Sequence, residues 1–488
     1  MKNYRFTILL TVCLAAVSHP LLAQDYRPMD SLTYRLYLEK KWDSLATMGQ
    51  EALDRGFDYY YLRARMGIAF FEKRQYIRAI AHLEKARRFN SGDPLLTEYL
   101  YYALLWSNRK EDALALRSSL TEETRKRTTA DAGFLQEAGV EGGYTFSSDR
   151  RAKNLGKLAG NDGYYGEQDL YGNNLYAGAG LKLRVARHVG LNLSYSHLQF
   201  YKTKYFRYGR YEDVFEGTTD TTWGKIYHYS FPFTSSNLKV PYTVRQHDIF
   251  AGMSFYLPGQ FTLTPVFHVI RVAHSLTVAR MTSHTVMDTS YYTSQNDSTY
   301  FFPFNRVAYE FPRTDTSFYN YLAGVNLNKN LGLFSVGVSG TWSNLNGVDR
   351  VQAGVSATWF PLGNLDLYGT ITLSGLFGKD DHRFLPGLSG GAKVAPWLWV
   401  EGNFFYGDYT NASLYQGSVV YNSTDKQKYQ AGATLIFVTK KHLGFSLYYR
   451  YFSKESRQFF YDGASGRMTS ADKPYQTHTL IGGITWKL

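Results

Sequence analysis

Residues 351–374 read VQAGVSATWFPLGNLDLYGTITLS, and their alternation decides the fold. Val351, Ala353, Val355, Ala357 and Trp359 alternate with Gln352, Gly354, Ser356 and Thr358. After a turn at Pro361-Leu362-Gly363-Asn364, Leu365, Leu367, Gly369, Ile371 and Leu373 alternate with Asp366, Tyr368, Thr370, Thr372 and Ser374. A period of two places one set on each face of a strand, so one face meets apolar surroundings and the other tolerates water. The same period returns at Leu443, Phe445, Leu447, Tyr449 and Tyr451 against Gly444, Ser446, Tyr448 and Arg450. It holds from Phe134 onward.

A soluble sandwich alternates too, and the connections separate the two readings. Short turns are predicted at Arg187-His188, Pro258-Gly259, Lys329-Asn330, 361–364, Ala395-Pro396 and Lys440-Lys441. Between them lie longer connections, such as Ser147 to Gly172, Tyr208 to Lys239 and Thr282 to Arg313. Short and long alternate, as in a transmembrane barrel with short periplasmic turns and long external loops. Six turns and seven loops join fourteen strands. Aromatics fall near strand ends, as interfacial girdles require: Phe255, Tyr256, Trp342, Trp359, Phe360, Trp397, Trp399 and Trp486. The last strand, with Leu480, Gly482, Ile484, Trp486 and Leu488 on one face, resembles the C-terminal insertion signal of outer-membrane proteins, although Leu488 stands where an aromatic is usual.

Composition agrees. The 488 residues include 42 Tyr and 43 Gly, and 17% are aromatic, while the mean hydropathy is only −0.34. A membrane barrel needs an apolar residue only at every second position. At the N-terminus, Lys2 and Arg5 precede an apolar run from Phe6 to Val17, and Leu21-Leu22-Ala23 closes it, which reads as a secretory signal over 1–23. Cys13, the only cysteine, lies inside that signal, so a cleaved chain has no disulfide and no thiolate metal site. Cleavage removes two of the charges that make up the net +13, leaving about +11, a balance suited to an anionic glycan or to lipid headgroups and equally to an unspecialised basic surface. An exported barrel is not expected to meet nucleic acid, and no cofactor or metal motif is present.

Residues 25–130 read differently. Trp42, Tyr76 and Lys110 recur at a spacing of 34, as do Leu45, Ala79 and Ala113, and Ala52, Ala86 and Leu120. In the middle unit Gly67 permits a close helix approach, while Ala79, Leu83 and Ala86 share one helical face. Asn90-Ser91-Gly92-Asp93-Pro94 stops one helix and starts the next. At these positions the segment resembles the tetratricopeptide repeat family, with Arg63 in place of the usual tryptophan. The resemblance implies paired antiparallel helices and a concave surface for a periplasmic protein or peptide; a spacer beside the barrel is the alternative.

The expected class is therefore α+β and multidomain: helical repeats over 25–130, then a transmembrane antiparallel barrel of about fourteen strands over 134–488. Alternation points Glu141, Lys182, Arg184, Asp248, Asp366, Lys393, Glu401 and Arg450 into the lumen. There they would either set a transverse field for polar solutes or pair across strands. Fourteen strands with small inward residues lie nearer an open channel than a filled barrel, unless a loop folds in. Lys202, Tyr205, Arg207, Tyr208 and Arg210 combine bases with aromatics in an external loop and suggest contact with an anionic glycan; a packed rim is the alternative. A second aromatic group comprises Tyr291, Tyr292, Tyr300, Phe301, Phe302 and Phe304. No catalytic set is evident: His268 and His274 share a strand face and Ser275 points to the other, while His197 and Asp381-His382 stand apart.

Repeats followed by a barrel resemble, in architecture, the exopolysaccharide export porins, the poly-N-acetylglucosamine porin among them, and repeat-barrel proteins common in Bacteroidota. That resemblance implies an outer-membrane export channel whose periplasmic repeats receive a polymer or a partner. A non-conducting scaffold is the second expectation, and a barrel-embedded hydrolase a remote third.

Overall fold

The computed structural model describes residues 27–128, 133–149, 165–211, 214–222, 224–230, 233–292, 299–379, 381–439, 442–462 and 467–487. The signal over 1–23 lies outside them. The chain divides into two units, one ending at Thr128 and the other beginning at Thr129.

Seven helices make up the described part of the first unit. They are α1 (Arg27–Leu38), α2 (Trp42–Asp54), α3 (Tyr60–Glu72), α4 (Tyr76–Phe89), α5 (Pro94–Trp106), α6 (Lys110–Leu116) and α7 (Glu122–Arg127). The 34-residue period is built into the backbone: α2, α4 and α6 begin at 42, 76 and 110, and each follows a tight turn with a left-handed residue at Lys40, Arg74 and Asn108. The recurrent positions are the packing positions. Leu45, Ala79, Leu83, Ala86 and Ala113 are fully buried. A Cβ on Gly67 would come within 2.6 Å of the Leu83 side chain, so the small residue sets the approach of α3 to α4. Asp93 caps α5 by accepting from the Leu95 and Leu96 amides, with Pro94 at the first helical position. At the departed position, Arg63 is buried and is held by both oxygens of Asp58 at 2.6 and 2.8 Å, with its other nitrogen 3.1 Å from His82 Nδ1.

The second unit is a closed antiparallel barrel of fourteen strands. Around the wall run β1 (Leu135–Ser147), β2 (Tyr165–Ala186), β3 (Val189–Tyr211), β6 (Phe233–Leu257), β7 (Phe261–Thr277), β10 (Arg313–Leu331), β11 (Phe334–Ser343), β12 (Arg350–Trp359), β13 (Leu367–Phe377), β14 (His382–Ala395), β15 (Leu398–Tyr406), β18 (Lys426–Val438), β19 (Leu443–Asp462) and β20 (Arg467–Lys487). β20 returns to β1, pairing Trp486 with Ala138 and Thr477 with Ser147, so both ends of the wall lie beside the short turns. Closure leaves no unpaired edge, which a lipid core demands.

The alternation is realised inside out. Val351, Val355, Trp359, Ile371, Leu373, Leu388, Phe445, Leu447 and Ile484 are exposed on the outer wall. Gln246, Asn326, Gln430 and Thr434 are buried within it. Trp359, Trp397 and Trp486 are each about half exposed and cluster toward the short-turn end, as a girdle does.

Three expectations are corrected. The β10–β11 turn is not at Lys329-Asn330, which lie in β10, but at Gly332-Leu333, where Gly332 takes φ +60° between the paired Leu331 and Phe334. Asp366 precedes β13 and sits in a turn rather than within a strand. Among the described residues, the long connections are largely strand. β2 and β3 continue well into them, and two further hairpins form, β4 (Val214–Thr221) with β5 (Gly224–Ser230) and β8 (Arg280–Tyr292) with β9 (Thr299–Glu310). Pairing satisfies the backbone groups of those segments without distant partners.

Candidate functional site

Among the described residues, one segment divides the lumen. Between β15 and β18 the chain turns inward over Gly407–Asp425 and forms the short pair β16 (Ser413–Leu414) and β17 (Val419–Val420). Its apolar residues Tyr409, Ala412 and Leu414 are buried against Leu376, Leu385 and Phe405 of the wall, a small core inside the barrel. Its backbone groups are met by inward polar side chains. Gln352, from the stretch that revealed the strand pattern, donates to the Ser413 carbonyl at 2.8 Å and accepts from the Ser413 amide at 2.9 Å. Arg383 donates to the carbonyls of Asp408 and Thr410 at 3.2 and 2.9 Å. At the tip, Tyr415, Gln416 and Gly417 all take positive φ. Asn326 of β10 donates to the Gln416 carbonyl at 3.0 Å, and a Cβ on Gly417 would lie 3.2 Å from Val266 of β7. The segment thus spans the lumen.

Beside it lies a cavity of about 810 Å³, lined by β1, β2, β3, β6, β7, β10, β18, β19, β20, Asn346 and residues 418–424 of the inward segment. Along β2 the lining runs from Lys182, near the turn to β3, to Asp169 at the far end, so the cavity follows most of the wall.

Of the charged residues expected in the lumen, Glu141, Lys182, Asp248 and Arg450 line this cavity. Glu141 accepts from the Tyr176 hydroxyl, and Lys182 pairs with Glu137 at 2.8 Å. Asp248 is buried and accepts from Gln246 at 3.0 Å and Ser196 at 3.3 Å. Arg450 makes no ion pair among the described residues. The others lie elsewhere. Glu401 accepts from the Tyr368 hydroxyl at 2.5 Å, Lys393 is 3.9 Å from Asp366 near the β12–β13 turn, and Arg184 donates to the Arg187 carbonyl at 3.0 Å.

The basic and aromatic stretch after Phe200 does not form one surface. Lys202, Tyr205, Arg207 and Tyr208 belong to β3, not to a loop, and alternation sends Lys202 and Tyr208 to one face and Tyr205 and Arg207 to the other. Lys202 turns into the cavity and lies over the Tyr171 ring at 5.3 Å. Tyr208 packs with Tyr309 and Phe311, and Lys239 lies over Tyr205. Arg210 is on β3, but its side chain lies outside the described residues, as do the side chains of Tyr291, Tyr292, Tyr300 and 301–304. Ser275 donates to Asp315, on the face opposite His268 and His274, and Asp381 is held by Arg350 and Arg383.

Sequence reasoning missed Lys454 and the inward segment. Lys454 keeps the parity of Arg450 along β19, so carrying the alternation two residue pairs further would have found it. Nothing in the composition of 407–425 marks it as inward.

No protein-family profile and no curated protein matches the sequence. Among solved structures, the chain is similar to a FadL homologue of Pseudomonas aeruginosa at 10% identity, over 72% of this chain and 90% of that one, with a TM-score of 0.37. It is similar to the toluene transporter TodX of P. putida at 8% identity, over 73% and 91%, with a TM-score of 0.29. The type III secretion translocator chaperone SycD of Yersinia enterocolitica matches 23% of this chain and 84% of its own length at 16% identity, with a TM-score of 0.20. All three scores are low, and the barrel is established by the chain's own strand pairing.

Proposed function

We propose that this chain is an outer-membrane channel with a lumen narrowed by the inward segment Gly407–Asp425, and that its helical repeats, of tetratricopeptide type, recruit a periplasmic partner. The observation that carries the channel is the cavity beside that segment, whose lining runs along β2 from Lys182 to Asp169. An apolar outer wall and aromatic girdle favour a lipid setting. Both ends of the wall lie beside the short turns, the end that faces the periplasm in such barrels. Export of an intact glycan would require the inward segment to move aside; passage of a small solute would not.

The test is single-channel recording on the purified chain in a planar bilayer. The Asn411 amide donates to the Tyr421 carbonyl at 2.9 Å, so a two-glycine link can replace 412–420 without moving the ends. Wild-type protein should show small, steady openings, and the shortened variant markedly larger ones. If both are folded, inserted and silent, the chain is a non-conducting scaffold. The partner reading fails if the helical unit, displayed on the full chain, retains no periplasmic protein.

A further inference from the structure

The cavity's charges are unequally engaged. Its four carboxylates each have a donor: Glu137 has Lys182, Glu141 has Tyr176, Asp169 has Lys204 and Tyr242, and Asp248 has Ser196 and Gln246. Of its five lysines and arginines, Lys202, Arg450 and Lys454 make no ion pair among the described residues. Two of these converge. Lys454 is 7% exposed and lies 4.9 Å from the centre of the Tyr171 ring, the same ring that Lys202 approaches to 5.3 Å. Asp425 acts on Lys454 only through space, and its carboxylate accepts from the Tyr475 hydroxyl at 2.5 Å. A buried ammonium with no directly paired carboxylate is costly to maintain, and an anion from outside supplies that contact.

The neighbouring wall is apolar. Phe200, Val244, Val272, Leu276 and Phe318 line the same cavity beside Lys202, with Tyr242 and His274 completing an aromatic flank. A bare inorganic ion would leave that flank wet, whereas a ligand with an apolar body would cover it.

We propose that the cavity binds an organic anion, its acidic group between Lys202 and Lys454 and a flat apolar body against Phe200, Val244 and Phe318. Arg450, four residues along the same face of β19 and about 13 Å away, is the next cation on the path. This deepens the channel reading by naming the class of solute, but equilibrium binding does not depend on conduction.

The test is calorimetric titration of the full chain in detergent with 1-naphthoate, 1-naphthalenemethanol and inorganic phosphate. Naphthoate should saturate one site, with the alcohol and phosphate each at least about tenfold weaker, the scale of one charge-assisted contact. Lys454→Gln and Lys202→Gln should each weaken naphthoate by about tenfold. Lys454→Arg, which keeps the charge, should retain binding. Folding of each variant is checked by mobility on unheated gels. Equal binding of acid and alcohol, or no loss in either glutamine variant, overturns the site; so does phosphate binding as tight as naphthoate. A barrel that binds naphthoate but passes no current refutes the channel and keeps the site. One that conducts but treats acid and alcohol alike does the reverse.

Discussion

Ala79 in the helical unit and Gln430 in the barrel are buried alike, at 0 and 2% exposure, yet they answer to opposite solvents. In the helical unit the interior is a conventional one, with Leu45, Leu62, Met66 and Leu83 turned inward and the buried Arg63 and Arg65 each paired with an aspartate. Around Gln430 the interior holds Asn403, which accepts from its amide at 3.3 Å, and Tyr421, whose hydroxyl donates to its carbonyl. Val351, Val355, Ile371, Leu388 and Ile484 of the same wall face out. Burial therefore says nothing about polarity until the surrounding medium is known. In water the core is the only dry place. In a membrane the outside is dry, and the lumen must house whatever polar residues alternation leaves over.

That contrast can be broken most severely at Ala79. Ala79→Asp buries an unpaired carboxylate in the α3–α4 packing and should cost at least about 3 kcal/mol. On the full chain in detergent, the helical signal at 222 nm should melt far earlier while the unheated barrel keeps its gel mobility. Loss of both together would show that the two units do not fold independently.

The mirror test is Ile371→Arg on the outer wall, where Ile371 is 56% exposed. A base on the lipid face should cost about 2–4 kcal/mol near the midplane, read from the urea midpoint of the barrel refolded into vesicles. The adjacent inward Thr372→Arg should cost less, because its head can reach the lumen. Equal costs would put Ile371 outside the bilayer.

A smaller effect sharpens the comparison through pH. Burial holds the His82 imidazole down at about 4, and the adjacent Arg63 adds to this. The unfolded chain takes up that proton near 6.5, the folded unit only near 4. Stability from this group is complete above 6.5 and is lost as the pH falls toward 4. Between about pH 7 and 5.5 the loss should be on the order of 1 kcal/mol. His82→Gln should flatten the melting temperature of the helical signal over that range, with no change in the barrel. An unchanged slope would place the sensitivity elsewhere.

Much of this was legible along the chain. Period two placed the wall, and the spacing of 34 placed Leu45, Ala79 and Ala113 in the helical core, because both signals are local: each follows from the direction of successive Cβ atoms. The same local rule turned Glu141, Asp248 and Arg450 toward one cavity. It could not say that β3 continues to Tyr211, since a strand above the membrane loses the apolar half of its pattern. Lys202 was thus read with a loop although it lies on the wall.

What the sequence determined by itself is the set of faces: which residues of each strand look toward lipid and which helical positions pack. What only the tertiary structure decided is who meets whom across the lumen. Gln352 and Ser413 are 61 residues apart in the chain, and Lys202 and Lys454 reach one tyrosine from strands that closure brings round to the same cavity. Periodicity carries no information about such distant pairs. They arise because the barrel closes at fourteen strands and one segment turns inward, and both follow from hydrogen-bond partners chosen over the whole chain.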